Sequence, residues 1–118
     1  MDRIIEKQKK LTRRIGQNFT DYQAAALKLD KHGIFDKAAE IAVVKRVAHY
    51  MKNIHGYYES DLDYLLQFQN PLLLVSDHYM VNLRAELHEV VARILDNKDH
   101  TADYPLMPEA RRKSRSDE

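Results

Sequence analysis

The chain has 118 residues, 44% hydrophobic and 31% charged, with a formal net charge of +1, which specifies one globular domain with a single core and excludes a disordered chain. The absence of cysteine removes a disulfide scaffold, a thiolate zinc site and a thiol nucleophile together. Three Gly and three Pro leave little turn punctuation for a β-rich fold, no apolar run approaches the roughly 18 residues of a membrane span, and the start lacks the apolar centre of a signal peptide. The expectation is an all-α, soluble, cytoplasmic protein: a compact bundle of about four helices (3–29, 34–53, 60–69 and 71–97) with a flexible C-terminal tail. Residues 1–99 form the helical domain and 100–118 a mobile polar tail.

The first helix rests on Ile4, Gln8, Leu11, Ile15, Phe19, Tyr22, Ala26 and Leu29, which recur at steps of three or four. Gly16 interrupts the pattern at a cost of about 1 kcal/mol relative to Ala; its two readings are a break, with Asn18 or Thr20 capping a second piece, and a continuous helix, kinked or straight, of which continuity is the expectation. Residues 1–14 carry six basic side chains against two acidic ones, a net +4. Of these, Arg3, Lys7, Lys10 and Arg14 form a second stripe beside the apolar one. A solvated face and a strip that binds phosphate or carboxylate are its two readings.

Asp30-Lys31-His32-Gly33 reads as a helix end and turn, with Gly33 supplying the positive φ of a C′ residue. Ile34, Ala38, Ile41, Val44, Ala48 and Met51 then mark a second helix whose small residues allow close approach of a neighbour. Ile54 to Glu59 connects onward. Ser60 suits the N-cap of a third helix, with Asp61 and Asp63 in the first turn where the helix dipole favours negative charge. That helix ends at Asn70-Pro71, because a residue before proline is pushed out of the α region. Asn70 as N-cap and Pro71 at N1 start the fourth helix, followed by Leu72, Val75, Tyr79, Leu83, Leu87, Val90 and Ile94. Beyond Lys98 the periodicity is lost, although Tyr104, Leu106 and Met107 offer apolar groups for docking back. Arg111, Arg112, Lys113 and Arg115 close the chain as a solvated tail or a weak attractor of nucleic acid.

A search for chemistry is negative. The six His show no HExxH arrangement and no i, i+4 ligand pair, and there is neither a Gly-rich phosphate loop nor a nucleophile elbow. Asp77 and His78 are adjacent on a helix and point about 100° apart, too far round for an acid–base dyad. No catalytic residue, metal site or cofactor is expected. The positive signal is a cluster of Tyr57, Tyr58, Glu59, Asp61, Asp63 and Tyr64 within a stretch, Asn53 to Leu83, that holds no Lys or Arg. Tyrosine gives contact area at little entropy cost and carboxylates accept bidentate Arg, so this cluster suits a protein partner with a basic surface. Packing under the loop and helix capping is its structural alternative.

Ile34-Phe35-Asp36-Lys37-Ala38-Ala39-Glu40-Ile41, His49-Tyr50-Met51 and Leu65-Leu66-Gln67-Phe68-Gln69-Asn70-Pro71-Leu72 resemble a family of short, uncharacterised helical proteins carried on conjugative elements and phages of gut bacteria. Some relatives of that family inhibit type II-A CRISPR nucleases. The resemblance runs from Phe19 to Leu87 and departs from the family at Asp77-His78-Tyr79, where relatives often place a tryptophan. It implies a non-enzymatic, anti-CRISPR inhibitor from a mobile element, with a Cas nuclease as the partner. The alternative from the residues is a small nucleic-acid-binding or regulatory protein using Arg3, Lys7, Lys10 and Arg14. Basic and acidic faces on different elements also suit pairing between two copies in a homodimer.

Overall fold

The computed structural model describes residues 2–53 and 56–108, in which six helices follow one another: α1 (Asp2–Leu27), α2 (Lys31–Asp36), α3 (Ala38–Asn53), α4 (Glu59–Leu66), α5 (Pro71–Met80) and α6 (Leu87–Asn97). The basic cluster at Arg111 to Arg115 lies outside the described residues. No strand occurs among the described residues, and the all-α class read from composition holds.

The first stripe produces one continuous helix. The 26 residues of α1 pass through Gly16 without a break; at about 1.5 Å per residue the helix sets the long axis of a body measuring 46 × 28 × 25 Å. Leu11 and Ile15 are buried, and Ile4, Phe19 and Tyr22 pack at the margin of the core. The last turn runs past the core, leaving Leu27 largely exposed.

Asp30 to Gly33 differs from its expected turn. The Asp30 carboxylate accepts a 2.7 Å hydrogen bond from the Gly33 amide and caps α2, so Gly33 lies inside a helix and only Gly56 among the glycines has a positive φ, at 91°. The side-chain cap satisfies an amide that a helix start leaves open, and it outcompetes the turn. The expected helix 34–53 consequently splits at Lys37 into α2 and α3. Val44, Val47, Ala48 and Met51 of α3 enter the core, whereas Ile34 remains exposed.

In the third helix Ser60 is not the cap. Tyr58 occupies that position through backbone alone, its carbonyl accepting from Asp61 and Leu62, and Ser60 falls in the first turn, exposed. The corner at Asn70-Pro71 forms as its sequence dictates. Asn70 Oδ1 accepts from the Leu73 amide at 2.9 Å with Pro71 at N1. The helix that starts there is the centre of the molecule. It buries Pro71, Leu72, Leu74, Val75, Ser76 and Tyr79, most of its circumference, against α1, α3 and α6.

The expected single helix 71–97 is interrupted between Met80 and Leu87, which makes six helices where about four were expected. The stripe through Leu83 would require one straight rod; instead the chain turns, leaving Leu83 56% exposed while Ala85 packs on the core. The physical reason lies off the stripe. Leu74 and Val91 are both buried, and burying two sides of each segment requires α6 to fold back on α5. Lys98 ends α6 in the left-handed region at φ 49°.

The segment from His100 to Pro108, assigned to a mobile tail by its lost periodicity, is laid across α4 and α5. An isolated antiparallel bridge joins Phe68 and Leu106, Gln69 N donates to Pro105 O at 3.0 Å, and Met107 N donates to Gln67 O at 2.7 Å. Tyr104 and Leu106 pack against the core, the docking their apolar character offers.

Candidate interaction surface at the head of α4

The two sequence-derived candidate clusters meet each other. Lys7 projects from α1 and its Nζ lies 2.7 Å from Glu59 Oε1 and 2.7 Å from Asp63 Oδ1, while Arg3 approaches the same Glu59 oxygen at 3.7 Å. Glu59 and Asp63 stand one turn apart on α4, where two carboxylates alone repel, and the ammonium placed between them removes that repulsion. Its pKa is raised, chiefly by the hydrogen bond to Asp63 and then by that to Glu59. The Glu59 carboxyl is lowered, first by its hydrogen bond to Lys7 and then by the charge of Lys7.

Arg14, from the same basic stripe, turns to the other end of α4. Its Nη1 donates to the carbonyls of Leu66 at 2.6 Å and Phe68 at 3.3 Å, groups that a helix end leaves unsatisfied. Lys10 is exposed and points away with Lys9 and Arg13. The stripe of Arg3, Lys7, Lys10 and Arg14 is therefore divided, and three of its four members clamp α4 onto α1.

The six residues of the acidic and aromatic cluster also separate. Asp61 pairs with Lys98 at 3.3 Å, with its side chain only 17% exposed. Tyr64 is buried, and its hydroxyl accepts from the His100 amide at 3.0 Å; burial raises its pKa, against that hydrogen bond. Tyr57 is half-buried with its pKa raised chiefly by burial, and its hydroxyl finds no partner among the described residues. Tyr58 is 78% exposed. The surface at the head of α4 thus comprises Tyr58, Glu59 and Asp63, supported from below by Tyr57, Asp61 and Tyr64.

Sequence reasoning missed Lys98, whose role at Asp61 depends on the fold-back of α6. It also missed Lys52 of α3, which borders a shallow groove with Lys9 and Arg13 of α1. Only the helix-to-helix register, invisible in one-dimensional spacing, could have joined them. Asp77 and His78 go separate ways: Asp77 Oδ2 accepts from the Tyr104 hydroxyl at 3.1 Å, and His78 Nδ1 lies 2.8 Å from the Leu74 carbonyl of its own helix. Among the described residues no group of three or more His, Cys, Asp or Glu is placed to hold a metal ion, and no helix is long and apolar enough to cross a membrane.

No protein-family model matches the chain, and neither a curated protein nor a solved structure matches it.

Proposed function

We propose that the chain is a non-enzymatic protein-binding module whose contact surface centres on Tyr58 at the head of α4. The observation that supports this reading most is the exposure of Tyr58, 78%, beside carboxylates already held in place. The side chains of Glu59 and Asp63 are 38% and 52% exposed, so each keeps lone pairs open to a donor after Lys7 has taken its share. A fixed carboxylate beside an open tyrosine accepts an arginine of a basic partner with little entropy left to lose.

The resemblance to mobile-element proteins with type II-A anti-CRISPR relatives supplies a partner and an effect, a type II Cas nuclease and its inhibition. The test is binding of the purified nuclease to the wild-type chain and to Tyr58→Ala, with helicity followed by circular dichroism. A loss of affinity of about tenfold or more, the size expected of an aromatic anchor, with helicity unchanged supports the reading. Equal affinity of the two proteins, or no binding by the wild type, rejects this surface or this partner respectively.

A second reading, a small nucleic-acid-binding or regulatory protein, draws on Lys9, Lys10 and Arg13 on the outer side of α1, which are exposed and border one concavity. It requires a salt-dependent shift of labelled DNA or RNA that disappears in a variant with all three reversed to Glu. No shift at low salt removes it.

A further inference from the structure

Away from the head of α4, a shallow groove of about 440 Å³ runs along one flank of α1 and is bounded by Lys52 in the last turn of α3. The α1 side is formed by Ile5, Gln8, Lys9, Thr12 and Arg13. At about 100° per residue, Ile5, Lys9 and Arg13 fall on the side of α1 away from Lys7, so the groove and the contact with α4 use opposite flanks of one helix. Ile5, Gln8 and Thr12 follow one another at steps of three and four, the spacing at which a second helix seats against a first. From Ile5 to Arg13 the run is roughly 12 Å long at about 1.5 Å per residue, two helical turns.

Charge and apolar surface together narrow what the groove accepts. Lys9, Arg13 and Lys52 are exposed, no acidic side chain lines the groove, and none of the three cations forms an ion pair among the described residues. Like charges from two helices around one concavity attract anions. Their methylene stems leave apolar walls, and Ile5, 52% exposed, adds a branched apolar group. A phosphate backbone gains from the cations but not from such walls, and no aromatic side chain lines the groove for bases to stack on. The opposite flank of α1 shows what does fit. There Lys7 sits between Glu59 and Asp63, one turn apart on α4, while Leu62 and Leu65 of the same helix enter the core. One acidic amphipathic helix is thus already held against α1 by a lysine between two carboxylates. On the outer flank Lys9 and Arg13, also one turn apart, meet no acidic helix among the described residues.

We propose that this groove docks two turns of an acidic amphipathic helix from a partner protein. Carboxylates one turn apart on that helix accept from Lys9 and Arg13, Lys52 adds a third cation from α3, and an aliphatic side chain packs on Ile5 and the Thr12 methyl group. The pairing removes the repulsion that such carboxylates suffer in the free helix, which ties affinity to helical spacing rather than to charge alone. This contact is independent of Tyr58, and its failure leaves the reading of the α4 head untouched.

The test is fluorescence anisotropy of a labelled, acetylated and amidated peptide of about 15 residues, the length at which an isolated helix begins to hold, built from Glu, Leu and Ala with Leu at steps of three and four. A peptide of the same composition in scrambled order keeps the charge without the face, and an oligothymidylate of similar length presents phosphate instead. Saturable binding to the full chain at about 150 mM salt, at least about tenfold tighter for the ordered peptide than for either control, is expected. Lys52→Glu and Ile5→Ser each weaken it by about fivefold or more. Lys28→Glu, the same charge change just beyond the far end of α1, leaves it within about twofold; circular dichroism checks that each variant keeps its helices. No binding of the ordered peptide, equal binding of the ordered and scrambled peptides, binding that neither Lys52→Glu nor Ile5→Ser weakens, or equal losses from Lys28→Glu and Lys52→Glu overturns the proposal. Tighter binding of the oligothymidylate overturns it too, and assigns the basic flank to nucleic acid.

Discussion

The ammonium of Lys7 on α1 sits 2.7 Å from the carboxylate of Asp63 on α4 and equally close to Glu59, so one cation from the first helix neutralises two acids that a single helix turn brings together. Replacing it by Met keeps the stem and deletes the charge, leaving two like charges one turn apart. The urea midpoint of Lys7→Met is expected to fall. Adding Asp63→Asn to Lys7→Met should recover part of that loss, because the second change removes the repulsion the first exposed. A strictly additive double variant would show that the three groups do not act as a unit.

The same contact sets a pH window. The Glu59 carboxyl is held below its ordinary value of 4.5; a lowered pKa contributes stability that is present above the unfolded value and lost as pH falls through the folded one. The Lys7 ammonium is raised above 10.5, and its contribution is present below that value and lost as pH rises through the folded one. The α1–α4 contact should therefore be strongest between about pH 5 and pH 10. Amide exchange in α4 measured against pH is expected to accelerate at the acid end in the wild type and to lose part of that dependence in Glu59→Gln. An identical acid limb in the two proteins would contradict the assignment.

What the sequence made legible was local. Asn70-Pro71 announces its corner because both devices, a side-chain cap and a proline at N1, act within four residues, and the stripe of α1 survives Gly16 because the core selects the face. What failed was competition at longer range. Gly33 looks like a helix stop until the Asp30 carboxylate is allowed to cap, and Leu83 sits on a stripe that Leu74 and Val91 overrule by demanding burial on two sides. At the candidate surface, the company each residue keeps was not legible. Glu59 and Asp63 read as open acids because nothing in local spacing places Lys7 between them.

Glycine substitutions separate the two backbone requirements. At Gly16 an added Cβ meets nothing within 4 Å, and the residue is an ordinary helical one in an unbroken α1. Gly16→Ala should stabilise the chain by about 0.5–1 kcal/mol, read as a rise in thermal midpoint. Gly56 also has open space around it, but its φ of +91° lies where side-chain-bearing residues are strained. Gly56→Ala should destabilise by about 1 kcal/mol. A destabilising Gly16→Ala would mean that α1 needs a local bend.

The docking of 100–108 rests on two groups whose effects are separable. Tyr104 places its ring edge-on to Phe68, with centroids 6.3 Å apart, and its hydroxyl donates to Asp77 at 3.1 Å. Burial, followed by the Asp77 charge, pushes the Tyr104 pKa up to about 12. A raised pKa stabilises while the proton is held: the contribution is complete below about pH 10, the unfolded value, and disappears as pH passes about 12. The segment should therefore undock in that alkaline interval, seen as faster exchange of the Gln69 and Met107 amides coincident with tyrosinate absorbance. Tyr104→Phe keeps the ring and removes the titrating group, so its segment should remain docked through the same interval. Leu106→Ala instead weakens docking at every pH, by about 1–2 kcal/mol, below the 2–5 typical of a fully buried leucine, because Leu106 is only partly buried. If Tyr104→Phe releases the segment at the same pH as the wild type, the alkaline step belongs to another group and the hydroxyl contact with Asp77 is not what holds the strap down.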